Sequence, residues 1–367
     1  MKTNAGNTGM NEVHGGASRA HELGGAEGRL LALFRGRPDA ATSVGAALRL
    51  HGAENIAIEA EWVDGLQAIR ATWPITDASA MNEPWLNQVV RRIDPRGGDR
   101  IRANLGAVRR VGIFVSRSDH CLADLLQRNW SGTLPCEVAF VASNHEDCRG
   151  LAELFGVPFH FFDMRSKARE LIEAEQLALL ERERVHLIVL ARYMQILSPA
   201  FVAHYPGRII NIHHALLPAF EGADPYRRAV ARGVKFIGAT AHYVTADLDA
   251  GPIIEQEVLR VTHRDDPQAL RKKGAELERI TLARAVKLHV DDRVLPVNDR
   301  VVVFDGHATH HDAMLEGLMQ SGRVDAGADH TGDTQHWLTT EWPMLELQRS
   351  LPDVFPGAGR HTDREVA

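Results

Sequence analysis

Asn211, His213, His242 and Asp249 are the residues whose types and spacing could act on a carbonyl. Asn211 and His213 stand two apart at the end of an apolar run, RIINIH. Strand side chains alternate with period two, so a strand here puts both on one face. His242 ends a second apolar run, FIGATAH, and Asp249 follows in the turn-like TADLDAGP. An amide, two imidazoles and a carboxylate would then be delivered by two adjacent strand ends. The amide can stabilise an oxyanion, and imidazole with carboxylate can move protons, which suits attack on a carbonyl. Taken singly these residues say less. Asn211 and His213 could equally satisfy loop backbone, and His242 could be a bonded core histidine. His214 points away from His213 by the same alternation and is read as structural.

Those side chains need a sheet beneath them, and the chain from Val111 onward supplies the pattern of one. VGIFVS, VAFVASN, PFHFFDM, VHLIVLAR and RIINIH read as strands. Between them lie helical stretches at 121–130, 147–155, 167–183 and 199–204. Near-continuous apolar strands separated by amphipathic helices predict an α/β fold, a mostly parallel Rossmann-like sheet with helices on both faces. Sites in such sheets gather at the carboxyl ends of strands, where Asn144, Arg192, His213 and His242 fall. Asn144-His145 could also be a plain helix cap. Residues 252–261 read as another strand, and a long helix starts at Asp265-Asp266-Pro267 with Leu270, Leu277 and Ile280 on one side. A hairpin turning at Asn298-Asp299 closes this domain, which spans 109–304.

Ahead of it, residues 29–105 read as a small α+β unit in the order β-α-β-β-α-β, with a hairpin signal at Asp64-Gly65. Residues 1–28 are a polar, Gly-rich stretch read as a flexible leader without a secretory signal, which points to the cytoplasm. Residues 305–367 lose periodicity and read as an appended tail, mostly irregular, with one short helix at 313–319. Its His307, His310, His311 and Asp312 fit no standard metal spacing, so an exposed histidine-rich segment is expected.

Composition excludes several classes. With 42 basic and 48 acidic residues the net charge is −6, which argues against a nucleic-acid partner. The apolar runs are far too short to span a membrane. The three cysteines have no CxxC spacing and are expected as reduced thiols. GxGxxG is missing, so no dinucleotide cofactor is expected, and the site chemistry needs no metal.

Five segments in order, SDHCLADLL, ASNHEDCRGLAELFGVPFHF, LARYMQILSP, NIHHALLPAF and ATAHYVTADLDAGPIIEQ, resemble the formyltetrahydrofolate deformylase family. That family joins an ACT domain, which has a ferredoxin-like fold, to a formyltransferase-type catalytic domain. The resemblance is strong over 109–304 and faint over 29–105. Pro38 and Asp39 match the Pro-Asp-x-x-Gly turn of such ACT domains, but Thr42 stands where the glycine would be. It implies hydrolysis of 10-formyltetrahydrofolate in folate one-carbon metabolism and purine biosynthesis. Asn211 and His213 would stabilise the oxyanion, Asp249 would orient or activate water, and His242 would match the family's second histidine. Arg192, Met194, Gln195, Ile196 and Leu197 would hold the folate. A homo-oligomer formed through ACT-like sheets and an amino-acid effector at the N-terminal unit are also implied. Related transferases carry a Gly-rich phosphate cradle after the first strand. Here that turn reads Ser116-Arg117-Ser118-Asp119-His120, which favours water over a phosphorylated amine as acceptor. Transfer to a non-phosphorylated amine, deformylation of another N-formyl compound, and a non-catalytic folate- or amino-acid-binding protein stand as the alternatives.

Overall fold

A computed structural model describes residues 26–96, 99–218 and 225–305. The leader to residue 25 and the tail from residue 306, with its expected helix and histidines, lie outside the described residues.

The first unit runs β1 (Glu27–Arg35), α1 (Ala40–Leu50), β2 (Ala57–Val63), β3 (Leu66–Pro74), α2 (Glu83–Ile93) and β4 (Arg100–Leu105). Its strands form an antiparallel sheet in the order β2-β3-β1-β4, the order of a ferredoxin-like unit. Asp64 (φ 51°) and Gly65 (φ 74°) are both left-handed, as a tight hairpin between β2 and β3 requires. Helix α2 starts where the Asn82 side chain accepts from Trp85 N, and it buries Trp85, Val89 and Ile93 at spacings of four. One face of the sheet packs these helices; each large side chain buried there contributes about 1.5–3 kcal/mol. The other face sets Leu31, Leu33 and Leu66 against Val297, Val302 and Phe304, in and just after the hairpin that ends the described residues.

The second sheet is built from β5 (Arg109–Val115), β6 (Cys136–Ser143), β7 (Phe159–Phe161), β8 (Leu187–Ala191), β9 (Ile209–His213), β10 (Phe236–Tyr243) and β11 (Ile253–Arg260). The helices are α3 (His120–Trp130), α4 (Arg149–Leu154), α5 (Arg169–Arg182), α6 (Pro199–His204), α7 (Pro225–Arg232) and α8 (Pro267–Val290). The order is β11-β10-β9-β8-β5-β6-β7, parallel from β9 to β7. Alternation divides β5, β6, β8 and β9 between two cores. Val111, Ile113 and Val115 face α3 and α8, while Phe114 faces α5 and α6. Chain order reverses between β5 and β8, and a crevice opens beyond the ends of strands at such a point. The hairpin β12 (Val294–Val297) to β13 (Arg300–Val303) ends the described chain.

Two expectations need correction. Strand β10 runs antiparallel to β9, so His242 does not share a carboxyl edge with His213; it lies opposite Asn211. Apolar alternation reports which face a residue takes and is blind to strand direction. On α8 the buried stripe runs through Leu270, Gly274, Leu277 and Thr281, and it includes Glu278, whereas Ile280 is only half-buried.

Candidate active site

The antiparallel register makes Asn211 and His242 a directly opposed pair, so both project from the same face. Asn211 Nδ2 lies 3.2 Å from His242 Nε2. His242 Nδ1 lies 3.0 Å from the carbonyl of Tyr243, which can only accept. Nδ1 therefore carries the proton, and Nε2 accepts from the Asn211 amide. That bond turns the amide nitrogen inward and leaves its second hydrogen for another acceptor.

His213, two residues on, shares that face and is 8% exposed. Its Nδ1 is 3.2 Å from Asp249 Oδ2, while its Nε2 is buried without a protein partner. Asp249 Oδ1 lies 3.6 Å from His242 Nε2, so one carboxylate faces both imidazoles. The hydrogen bond from His213 holds its carboxyl well below the usual carboxylate range, outweighing partial burial. The turn that delivers it is tight. Asp249 has φ 54°, a conformation most side chains avoid. A Cβ on Gly251 would lie 1.7 Å from the Tyr243 carbonyl oxygen, so the chain leaves the turn pressed against β10.

These groups open into a cleft of ≈ 370 Å³. Arg192, Met194, Gln195, Ile196 and Leu197 all line it, as does Leu248, which sequence reasoning did not single out. Met194, Ile196 and Leu248 are 62%, 64% and 67% exposed, an apolar surface left open at the mouth. The Ser116 hydroxyl fixes this segment by accepting from Met194 N at 2.9 Å and donating to Asn144 Oδ1 at 2.7 Å. Asn144 thus ties strand ends together beneath the site. His214 departs from expectation. Strand β9 ends at His213, alternation stops there, and the two imidazole rings lie 5.0 Å apart with both lining the cleft. Burial first, then the Arg192 charge, pushes the His214 imidazole down to about 4.

A buried carboxylate behind this wall was not anticipated. Glu278 Oε2 receives His120 Nε2 at 2.9 Å and faces Arg192 Nε at 3.4 Å. His120, Cys121 and Glu278 place potential metal ligands within 4.8 Å of one another. The positive charge at that point is already supplied by Arg192, and burial pushes the Cys121 thiol well above its usual range. An acid at an internal position of an amphipathic stripe, between Leu277 and Thr281, is the signal that could have found it.

The mostly parallel sheet with this amide–imidazole–carboxylate group at its crevice defines a formyltransferase-type domain, and the family profile described as Formyl transferase matches residues 109–286. Formyltetrahydrofolate deformylase of Bacillus subtilis is 54% identical over 198 residues, 54% of this chain and just under two thirds (66%) of that one. The crystal structure of a formyltetrahydrofolate deformylase from Pseudomonas syringae is similar over 78% of this chain and 96% of that one, at 37% identity and a TM-score of 0.72. The corresponding protein from Burkholderia mallei covers 76% of this chain and is itself covered over 99%, at 38% identity and a TM-score of 0.70. The chain belongs to the formyltetrahydrofolate deformylase family.

Proposed function

We propose that the protein hydrolyses 10-formyltetrahydrofolate to tetrahydrofolate and formate, with Asn211, His213 and Asp249 acting on the formyl group and His242 orienting Asn211. The observation that carries the reading is the His213–Asp249 dyad, whose free Nε2 is buried in the cleft. Bound to the carboxylate through Nδ1, the neutral ring offers Nε2 as proton acceptor. A water attacking the formyl carbon forms the C–O bond and gives its proton to Nε2. The imidazolium so formed is paired with Asp249 and stands with the Asn211 amide beside the oxyanion. When the carbon–N10 bond breaks, Nε2 returns the proton to N10, and the released acid ionises to formate. Asp249 is too weak a base for the water itself, because the His213 N–H holds its charge; it orients and stabilises His213 instead. The open apolar mouth at Met194, Ile196 and Leu248 suits the flat, largely apolar body of a folate. All three cysteines are free thiols, which fits the reducing cytoplasm. Among the described residues no helix is long and apolar enough to cross a membrane.

The test is incubation with 10-formyltetrahydrofolate in the absence of any amine, measuring formate and tetrahydrofolate. Release that Asn211→Ala and His213→Ala abolish supports hydrolysis. Release only when an amine is supplied overturns it in favour of transfer, and no turnover in either case removes the catalytic reading.

A further inference from the structure

Glu278 is the most deeply buried acid near the cleft, with its side chain 4% exposed. It sits on α8 and joins three other elements. His120 reaches it from the first turn of α3, Arg192 from the end of β8, and the Tyr226 hydroxyl of α7 donates to its Oε1 at 3.2 Å. The helix is adapted to this meeting. A Cβ on Gly274, one turn before Glu278, would lie 1.8 Å from the Tyr226 hydroxyl, so only glycine lets that hydroxyl through. A glycine inside a helix is destabilising relative to alanine, and here it makes room for a single polar contact.

The group converges on Arg192, which is unusual in its own right. Arg192 is left-handed (φ 62°) at the point where β8 turns into the segment lining the cleft. Its guanidinium neighbours His214, whose ring lies 5.0 Å from that of His213. We infer that Glu278 is a positioning residue for the reaction: by pairing with Arg192, and through His120 and Tyr226, it fixes the back wall of the cleft and offsets the guanidinium charge behind His213. The inference rests on the hydrolytic reading, in which His213 becomes an imidazolium during turnover. An unpaired Arg192 would oppose that charge, while Asp249 from the turn after β10 would remain its chief support. His214 and His242 line the cleft beside it, His120, Cys121 and Tyr226 surround Glu278, and the charges of Asp124, Arg271 and Arg279 are felt at Cys121 and Tyr226.

The experiment is a double-mutant cycle on the full chain with Glu278→Gln, Arg192→Gln and the pair, assayed for formate release below each variant's Tm. Glu278→Gln is expected to lower kcat about tenfold with KM within about twofold, and to move the acid limb of kcat/KM to lower pH, because a lost negative charge disfavours the imidazolium. The double variant should be no slower than Arg192→Gln alone, and the acid limb should return toward that of the wild type. Effects on kcat that multiply, or a Glu278→Gln whose Tm falls while kcat and the pH profile stay put, would reduce Glu278 to a structural role. Should Glu278→Gln fail to fold, Tyr226→Phe removes one contact only and is expected to lower kcat about two- to fivefold at unchanged KM; an unchanged kcat there overturns the inference. A wild-type protein that releases no formate would instead sink the hydrolytic reading, and the two failures are distinguishable.

Discussion

Replacing Asp249 by Asn keeps the shape of the turn residue and removes the charge that faces His213. Asparagine also tolerates the left-handed backbone at this position, so φ 54° presents no added strain. At the 3.2 Å separation of Nδ1 and Oδ2, two unit charges interact by about 5 kcal/mol at an effective dielectric constant of ~20. Asp249 is 22% exposed, so solvent brings the figure down to about 4 kcal/mol. Each 1.36 kcal/mol is roughly tenfold in rate, so the step that forms the imidazolium should slow by about a thousandfold. A second effect adds to it. An amide NH2 facing Nδ1 would drive the imidazole proton to Nε2, the atom that accepts from water in the proposed reaction, and the equivalent swap in serine proteases lowers kcat by about 10⁴. Single-turnover formate release is the assay, with far-UV circular dichroism and Tm as controls for folding. A folded Asp249→Asn enzyme retaining more than about a tenth of wild-type kcat would refute the dyad as the source of catalysis.

Further outcomes follow from the same contacts. Asp249 has a depressed folded pKa, so its stabilising contribution is present above its unfolded value of ~3.9 and is lost as pH falls through the folded one. Urea unfolding should therefore show a wild-type advantage over Asp249→Asn that is present at about pH 5 and shrinks below about pH 4. Gly251→Ala should reduce kcat more than tenfold, since its Cβ would meet the Tyr243 carbonyl and displace the turn carrying Asp249; a crystal structure should show that shift. Leu248→Ala should raise KM about tenfold with little change in kcat, as loss of an apolar contact worth ~1.5 kcal/mol, read from initial rates. Asp292, only 5% exposed in its side chain, accepts two bonds from Arg109 Nη2 at 2.9 and 3.1 Å and faces Arg102 at 3.2 Å. Asp292→Ala should lower stability by about 3–5 kcal/mol by leaving those charges unpaired, measured as the urea midpoint.

Period-two alternation was enough to place Asn211 and His213 together, and the Asp64-Gly65 hairpin and the start of α8 were equally plain from local chemistry. The His242–Asn211 contact was suggested by type but not by geometry, because it depends on β10 running antiparallel to β9. Alternation also misplaced His214, since the strand ends one residue earlier. Glu278 escaped notice because its partners come from α3, β8 and α7, between 52 and 158 residues away along the chain. Such convergence is set by packing between elements, and no local pattern reports it. Leu248 was hidden for another reason: in a loop, a lone apolar residue gains meaning only when Met194 and Ile196 stand across from it. The resemblance carried the identification of the cleft segment 192–197, which periodicity alone would leave as strand end and loop.

Isotope incorporation from water tests the central claim most directly. Turnover of 10-formyltetrahydrofolate in H₂¹⁸O with no amine present should give formate carrying one atom of solvent oxygen, alongside an equal amount of tetrahydrofolate. Formate without the label, or a formyl group that leaves the folate only when an amine is added, would contradict attack by water in the His213 cleft.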